Sequence, residues 1–129
     1  MVHRLFAKNS KPFTPSSRCT AYMATLPVVA RHHPVACGVW LDAHADLNTP
    51  HSYPTGYIGG FTIAGPVGLW DSGPGGGLDL SAAILAGARD IGSPEQKLID
   101  DGKVTWVPAG TDWWKDYGAL LKAGRVIIG

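Results

Sequence analysis

Apolar positions in this chain fall into short continuous runs, separated by helix-like stretches and by one long glycine-rich connection. The run Val35-Ala36-Cys37-Gly38-Val39-Trp40-Leu41 shows no alternation. That pattern reads as a strand buried on both faces. Residues 81–88, 104–107 and 125–128 are three further strand candidates. Residues 20–33 predict a helix interrupted at Pro27, where Thr25 would cap a restart, because proline is tolerated in a helix's first turn. Ser93-Pro94-Glu95-Gln96 predicts a helix start, with Ser93 as cap, Pro94 in first position and Gln96 closing a capping box. Gly102 is placed to end that helix. Thr111 or Asp112 would cap another, with Trp113, Tyr117, Leu120 and Leu121 on one face and Gly124 at its end. Strands alternating with helices predict an α/β fold, a parallel sheet with helices on both faces.

The pattern also divides the chain. Residues 1–18 are polar and rich in Pro and Ser, and are expected to be loosely ordered. Residues 19–129 form the expected α/β domain. Within it, residues 47–78 make a connection longer than compact domains usually tolerate without a function. Tyr57, Ile58, Phe61, Ile63, Leu69 and Trp70 are too apolar for linker, so part of it should pack, with a short helix expected over 61–70.

Composition narrows the function classes. The chain has 129 residues, 45% of them apolar, 16% charged, and a net charge of +1. That suffices for one core, and it gives no electrostatic basis for a nucleic-acid or membrane-surface partner. No apolar run approaches the roughly 20 residues of a membrane span. Two cysteines, Cys19 and Cys37, without a secretion signal suggest a reducing, cytoplasmic setting. No acidic residue precedes Asp42, and such leaders can be transit peptides, but residues 4–16 show no amphipathic period.

The candidate chemistry lies directly after the first strand, in Asp42-Ala43-His44-Ala45-Asp46. In extended chain, side chains at i, i+2 and i+4 point the same way, so two carboxylates and an imidazole could converge on a cation. Asp with His suits Mn, Zn or Fe(II). The same residues at a strand end also suit a hydrogen-bonded cap on the following turn. The glycine runs are not a phosphate loop, since no Gly-Lys-Ser/Thr follows them.

The run WLDAHADLNTP resembles the second metal-binding motif of the arginase/agmatinase/formimidoylglutamase (ureohydrolase) family. The segments PTGYIGG at 54–60 and GARDIGSPEQ at 87–96 resemble later landmarks of that family, in order and at reasonable spacings. The resemblance covers about residues 16 to 128 and implies a partial three-layer α/β/α sandwich with a parallel sheet. It implies a hydrolase acting on C–N bonds of a guanidino or formimino compound through a hydroxide held by two Mn ions. On that basis Asp42 would bridge the metals, His44 would hold one, and Asp46 would hold the other and orient the hydroxide as the catalytic residue. Asn48, Thr55 and Glu95 would contact substrate.

Three departures from the family pattern accompany the resemblance. The earlier ligand motif, Gly-Gly-Asp-His or Gly-Gly-Asp-Cys, falls at Ser16-Ser17-Arg18-Cys19, where only Cys19 is a potential ligand. A proton-shuttle histidine of arginases falls at Gly59, and an asparagine falls at Tyr57. The last Asp-x-Asp motif does not occur in the sequence. The chain thus resembles the middle of a ureohydrolase. The alternative expectation is a catalytically inactive, truncated member that binds metal weakly or acts through association, with a homo-oligomer expected in either case.

Overall fold

A computed structural model of the chain describes residues 4, 13–110 and 126–128. Four strands, β1 (Cys37–Leu41), β2 (Ala83–Ala86), β3 (Thr105–Val107) and β4 (Val126–Ile128), form one sheet in the order β3-β2-β1-β4. Every pairing is parallel, with Gly38 to Leu41 opposite Ala83 to Ala86 and Cys37 to Val39 opposite Val126 to Ile128. The α/β architecture and parallel sheet are those the alternating pattern predicts. The expected helix over 111–121 lies outside the described residues.

The strand order fixes where a site can form. From β1 the chain adds strands on one side, β2 then β3, and later returns to the other side as β4. The carboxyl end of β1 is therefore a point where strand order reverses, and open α/β sheets bind ligands at such points. Asp42 is the first residue after β1.

The core accounts for the uninterrupted apolar run in β1. Trp40, Ala83 and Leu85 face one cluster together with Ala45, Leu47, Ile63, Ala88 and Val104. Val39, Ile84, Ala86 and Val107 face a second. Helix α1 (Tyr22–His32) sets Tyr22 edge-on against Trp40, ring centroids 5.5 Å apart, and α2 (Ser93–Asp100) packs Leu98 and Ile99 on the same cluster. Strand β1 is shorter than expected. Val35, 64% exposed, sits in a turn instead, closed by the Ala36 amide donating to the His33 carbonyl at 2.9 Å.

Three other local expectations are corrected. Pro27 does not interrupt α1, which runs from Tyr22 to His32 and buries it. The cap of α2 is Gly92, not Ser93, and Glu95, not Gln96, reaches back to the Gly92 amide at 2.8 Å. Gln96 donates to Asp100 instead. The helix expected over 61–70 is a 3-10 turn at Ile58–Phe61 followed by successive turns. Pro66, and Gly68 at φ 81°, prevent a regular helix there. Phe61 and Ile63 pack inward as expected, but Tyr57 and Ile58 are exposed.

Gly87 joins the sheet to the site. It has φ 84°, and its amide donates to the Val107 carbonyl at 2.8 Å. An added Cβ would meet only the Asp42 carbonyl oxygen, at 3.8 Å, so space does not limit substitution and backbone conformation does. Gly87→Ala is expected to destabilise the fold by about 1–2 kcal/mol, the cost of a left-handed non-glycine residue, read as a lowered denaturant midpoint. An unchanged midpoint would contradict that assignment.

Candidate metal centre

The segment leaving β1 does not stay extended. Residues 42–43 bend, and Asp46 adopts φ 53°. Aspartate is among the few side chains that tolerate this region. The alternation that would aim Asp42, His44 and Asp46 at one point is therefore broken.

The structure brings together a different triplet. One ligand atom each from Cys19, Asp42 and Asp46 lies within 4.8 Å of the other two. Cys19 comes from the 3-10 turn Cys19–Ala21 that leads into α1, and its thiol donates to Asp42 Oδ2 at 3.6 Å. Asp42 Oδ1 accepts the His44 amide at 3.0 Å. Hydrogen bonds from His44 and Cys19 hold the Asp42 carboxyl below the usual range despite the opposing effect of burial.

Asp46 is only 7% exposed. Burial first, then the neighbouring Asp42 charge, pushes its pKa up to about 7, with Glu95 adding to the effect and His44 opposing it. No hydrogen bond contributes to that balance. Burial and the Asp46 and Asp42 carboxylates likewise push the Cys19 thiol up. Asp46 and Cys19 are thus disfavoured as anions, and a bound cation would reverse that.

His44 does not belong to this triplet but borders it. Its side chain is 60% exposed, with Nδ1 3.2 Å from Asp42 Oδ1 and Nε2 3.5 Å from Asp90 Oδ2. Its backbone forms an isolated parallel bridge with Asp90, and the Ala43 carbonyl accepts from the Arg89 and Asp90 amides at 2.8 and 3.0 Å. Asp90 has no role among the residues expected from the sequence to form the site. The only signal for it was its place in the GARD landmark.

The three expected substrate contacts sit differently. Asn48 is buried, with Oδ1 accepting from the Ser52 hydroxyl at 3.3 Å. Thr55 is exposed, and its hydroxyl accepts the Tyr57 amide at 3.5 Å. Glu95 is 3% exposed, and both carboxylate oxygens accept backbone amides, Leu47 at 3.0 Å and Gly92 at 2.8 Å. It ties the segment after Asp46 to the start of α2.

Comparison with known proteins gives the site its context. Residues 20–122 match the model of the arginase family. The chain is 47% identical over 95 residues to the N(omega)-hydroxy-L-arginine amidinohydrolase of Streptomyces lavendulae, covering 74% of this chain and 35% of that one. It is 28% identical over 109 residues to the arginase of Saccharomyces cerevisiae, covering 78% and 33%. Among solved structures it is similar to the arginase of Bacillus subtilis, with TM-score 0.87 and 23% identity over 98% of this chain and 49% of that one. The chain therefore spans about a third of these curated relatives and about half of the solved chain.

Proposed function

The chain belongs to the arginase family, and we propose that it is a cation-binding member that does not itself hydrolyse guanidino compounds. The observation that carries this reading is the donor set. Among the described residues, Cys19, Asp42 and Asp46 converge while His44, 60% exposed, pairs with Asp42 and Asp90 instead. A pair of Mn ions about 3.5–4 Å apart requires bridging carboxylates for both. A single closed site already takes about four ligands. Three donors carrying at most three negative charges do not fit two dications, so this donor set does not support hydrolysis through such a pair.

A second reading is that of a hydrolase, favoured by the 47% identity to an enzyme named for N(omega)-hydroxy-L-arginine. There His44 would swing inward to join Asp42 and Asp46 on Mn. Asp46 would orient the hydroxide, and Asn48, Thr55 and Glu95 would serve the substrate's amino-acid end, Glu95 through the segment it anchors. Self-association accompanies either reading. Trp106 on edge strand β3 and the apolar Phe13, Val35 and Tyr57 are exposed, and light scattering should find more than one chain per particle. Among the described residues, no helix is long and apolar enough to cross a membrane.

Assay of the purified chain with excess Mn²⁺ discriminates the two. The panel is N(omega)-hydroxy-L-arginine, L-arginine and other guanidino and formimino compounds. The expected result is no amine released from any of them above the metal-only blank. Turnover that is lost in Asp46→Asn would overturn the non-hydrolytic reading.

A further inference from the structure

We infer that the cavity beside Gly38 and Trp40 binds a small uncharged molecule with an apolar body and one hydrogen-bond acceptor. The cavity lies toward the amino end of β1, whereas Asp42 follows the other end. The inference is independent of the cation-binding reading. It rests on an opening in the core, an unpartnered donor beside it, and the charge at its mouth.

The opening follows from the sequence of the strands. Side chains at alternate positions share a face, so Gly38 lies on the Trp40 face of β1. In register it stands opposite Ala83 of β2, which sets two of the smallest residues side by side. Leu26 of α1 and Ile63 and Val67 of the long connection wall the space left over them. A Cβ added to Gly38 would meet no described atom within 4 Å. Glycine weakens a strand interior and often marks a place where a ligand approaches closely. The empty space is about 390 Å³ up to and including the open mouth, but only about 20 Å³ of it admits the centre of a water-sized group. That is the room of about one or two such groups. One small group of a ligand therefore enters, and its body rests in the mouth.

The donor is the Trp40 indole. Trp40 is 5% exposed, and its Nε1 is buried without an acceptor among the described residues. Tyr22 packs edge-on against the ring, which holds the donor in place. Buried N–H groups nearly always have a partner, and leaving one unpaired is costly. A carbonyl or ether oxygen entering the cavity would supply it. The charge is that of Asp79, the one ionisable residue of the lining. Its Oδ1 accepts the Ser81 hydroxyl at 2.7 Å and the Ser81 amide at 2.8 Å, and these bonds hold the exposed carboxyl below the usual range. An ionised carboxylate at the mouth repels anions. Among molecules bearing an acceptor, the site thus admits neutral ones and rejects carboxylates and phosphates.

Indole NMR of the ¹⁵N-labelled chain tests this, with the Trp40 signal among the five tryptophans identified by its loss in Trp40→Phe. Cyclopentanone should move the Trp40 indole signal saturably and leave the other four in place. Methylenecyclopentane, of similar shape but without the acceptor, should bind about fivefold more weakly or worse, the worth of one hydrogen bond. Cyclopentanecarboxylate should cause no shift. Gly38→Val fills the space without touching the donor and should abolish the cyclopentanone shift, and Gly38→Ala, with one added methyl, should weaken it. Both variants should keep a cooperative unfolding transition, and if valine does not, alanine alone carries the comparison. No saturable shift with cyclopentanone would mean that the cavity holds water only and would overturn the inference. Equal binding of methylenecyclopentane, or an undiminished cyclopentanone shift in the folded Gly38 variants, would overturn it as well.

Discussion

The metal-free protein is expected to lose stability as pH rises from about 5 to 8, and Asp46→Asn should remove most of that loss. An aspartate in an unfolded chain titrates near 3.9. Folding pushes Asp46 up to about 7. Between those values the native state keeps a proton that the unfolded state has released. Stability falls with pH wherever the native state binds more protons. The Asp46 contribution is therefore complete below about pH 4, declines through the interval, and is gone above about pH 7. A gap of about three pH units corresponds to roughly 4 kcal/mol at most. Asp42 acts with the opposite sign, because its carboxyl is held low, but its contribution is lost only in acid below this window. Urea midpoints at half-unit steps from pH 5 to 8 isolate the Asp46 slope. A wild-type profile as flat as that of Asp46→Asn would show that Asp46 is ionised throughout.

The same experiment with a cation present has the reverse sign. A dication beside Asp46 favours its ionised form, so saturating metal should restore stability most at pH 7–8. At pH 6 binding should release the Asp46 proton together with that of Cys19. The release is measurable as a dependence of binding enthalpy on the ionisation enthalpy of the buffer. The burial and neighbouring charge that oppose an ionised Asp46 at neutral pH thus favour a cation beside it, by mass action on the native state alone.

Parts of this arrangement were legible in the sequence because local patterns determine them. The unalternating run into Trp40 and Leu41 marked a strand buried on both faces, and Asp42 directly after it placed the site at the strand's carboxyl end. The family resemblance brings Cys19 forward as a potential ligand, and the structure sets it beside Asp42. The orientation of His44 was not legible. It depends on the bend at 42–43 and on the left-handed Asp46, and spacing alone assumes extended chain. Asp90, which faces His44, lies 46 residues further on in a segment whose bridge to residue 44 no local signal encodes. The expected helix over 61–70 failed for a local reason, since Gly65, Pro66 and Gly68 outweigh the apolar spacing of Phe61, Ile63 and Leu69. Glu95 lies in the helix-start signal, but the box closes from Gly92, one residue before the expected Ser93 cap, and the Glu95 bond to Leu47, 48 positions away, is purely tertiary.

That tertiary bond underlies the second large effect, expected from Glu95→Ala. The Glu95 carboxylate is buried and accepts the Leu47 and Gly92 amides. Hydrogen bonds to charged groups are each worth about 1.5–3 kcal/mol, and a buried amide left without a partner adds its desolvation cost. Removal should therefore cost about 3 kcal/mol or more, read from urea unfolding. Glu95→Gln should cost less, because it keeps one carbonyl oxygen for one amide but turns an N–H₂ toward the other. The consequence for the site differs between the two variants. Glu95 adds to the electrostatic pressure on Asp46, so the neutral glutamine should lower the Asp46 pKa and shift the declining part of the pH–stability profile toward acid. Alanine removes the same charge but also frees the segment carrying Asp46 from α2, so it should weaken Zn²⁺ binding where glutamine largely preserves it. If alanine and glutamine bound Zn²⁺ equally, Glu95 would act on Asp46 through its charge alone, and the anchoring of residues 46–48 to α2 would not be what positions the ligand.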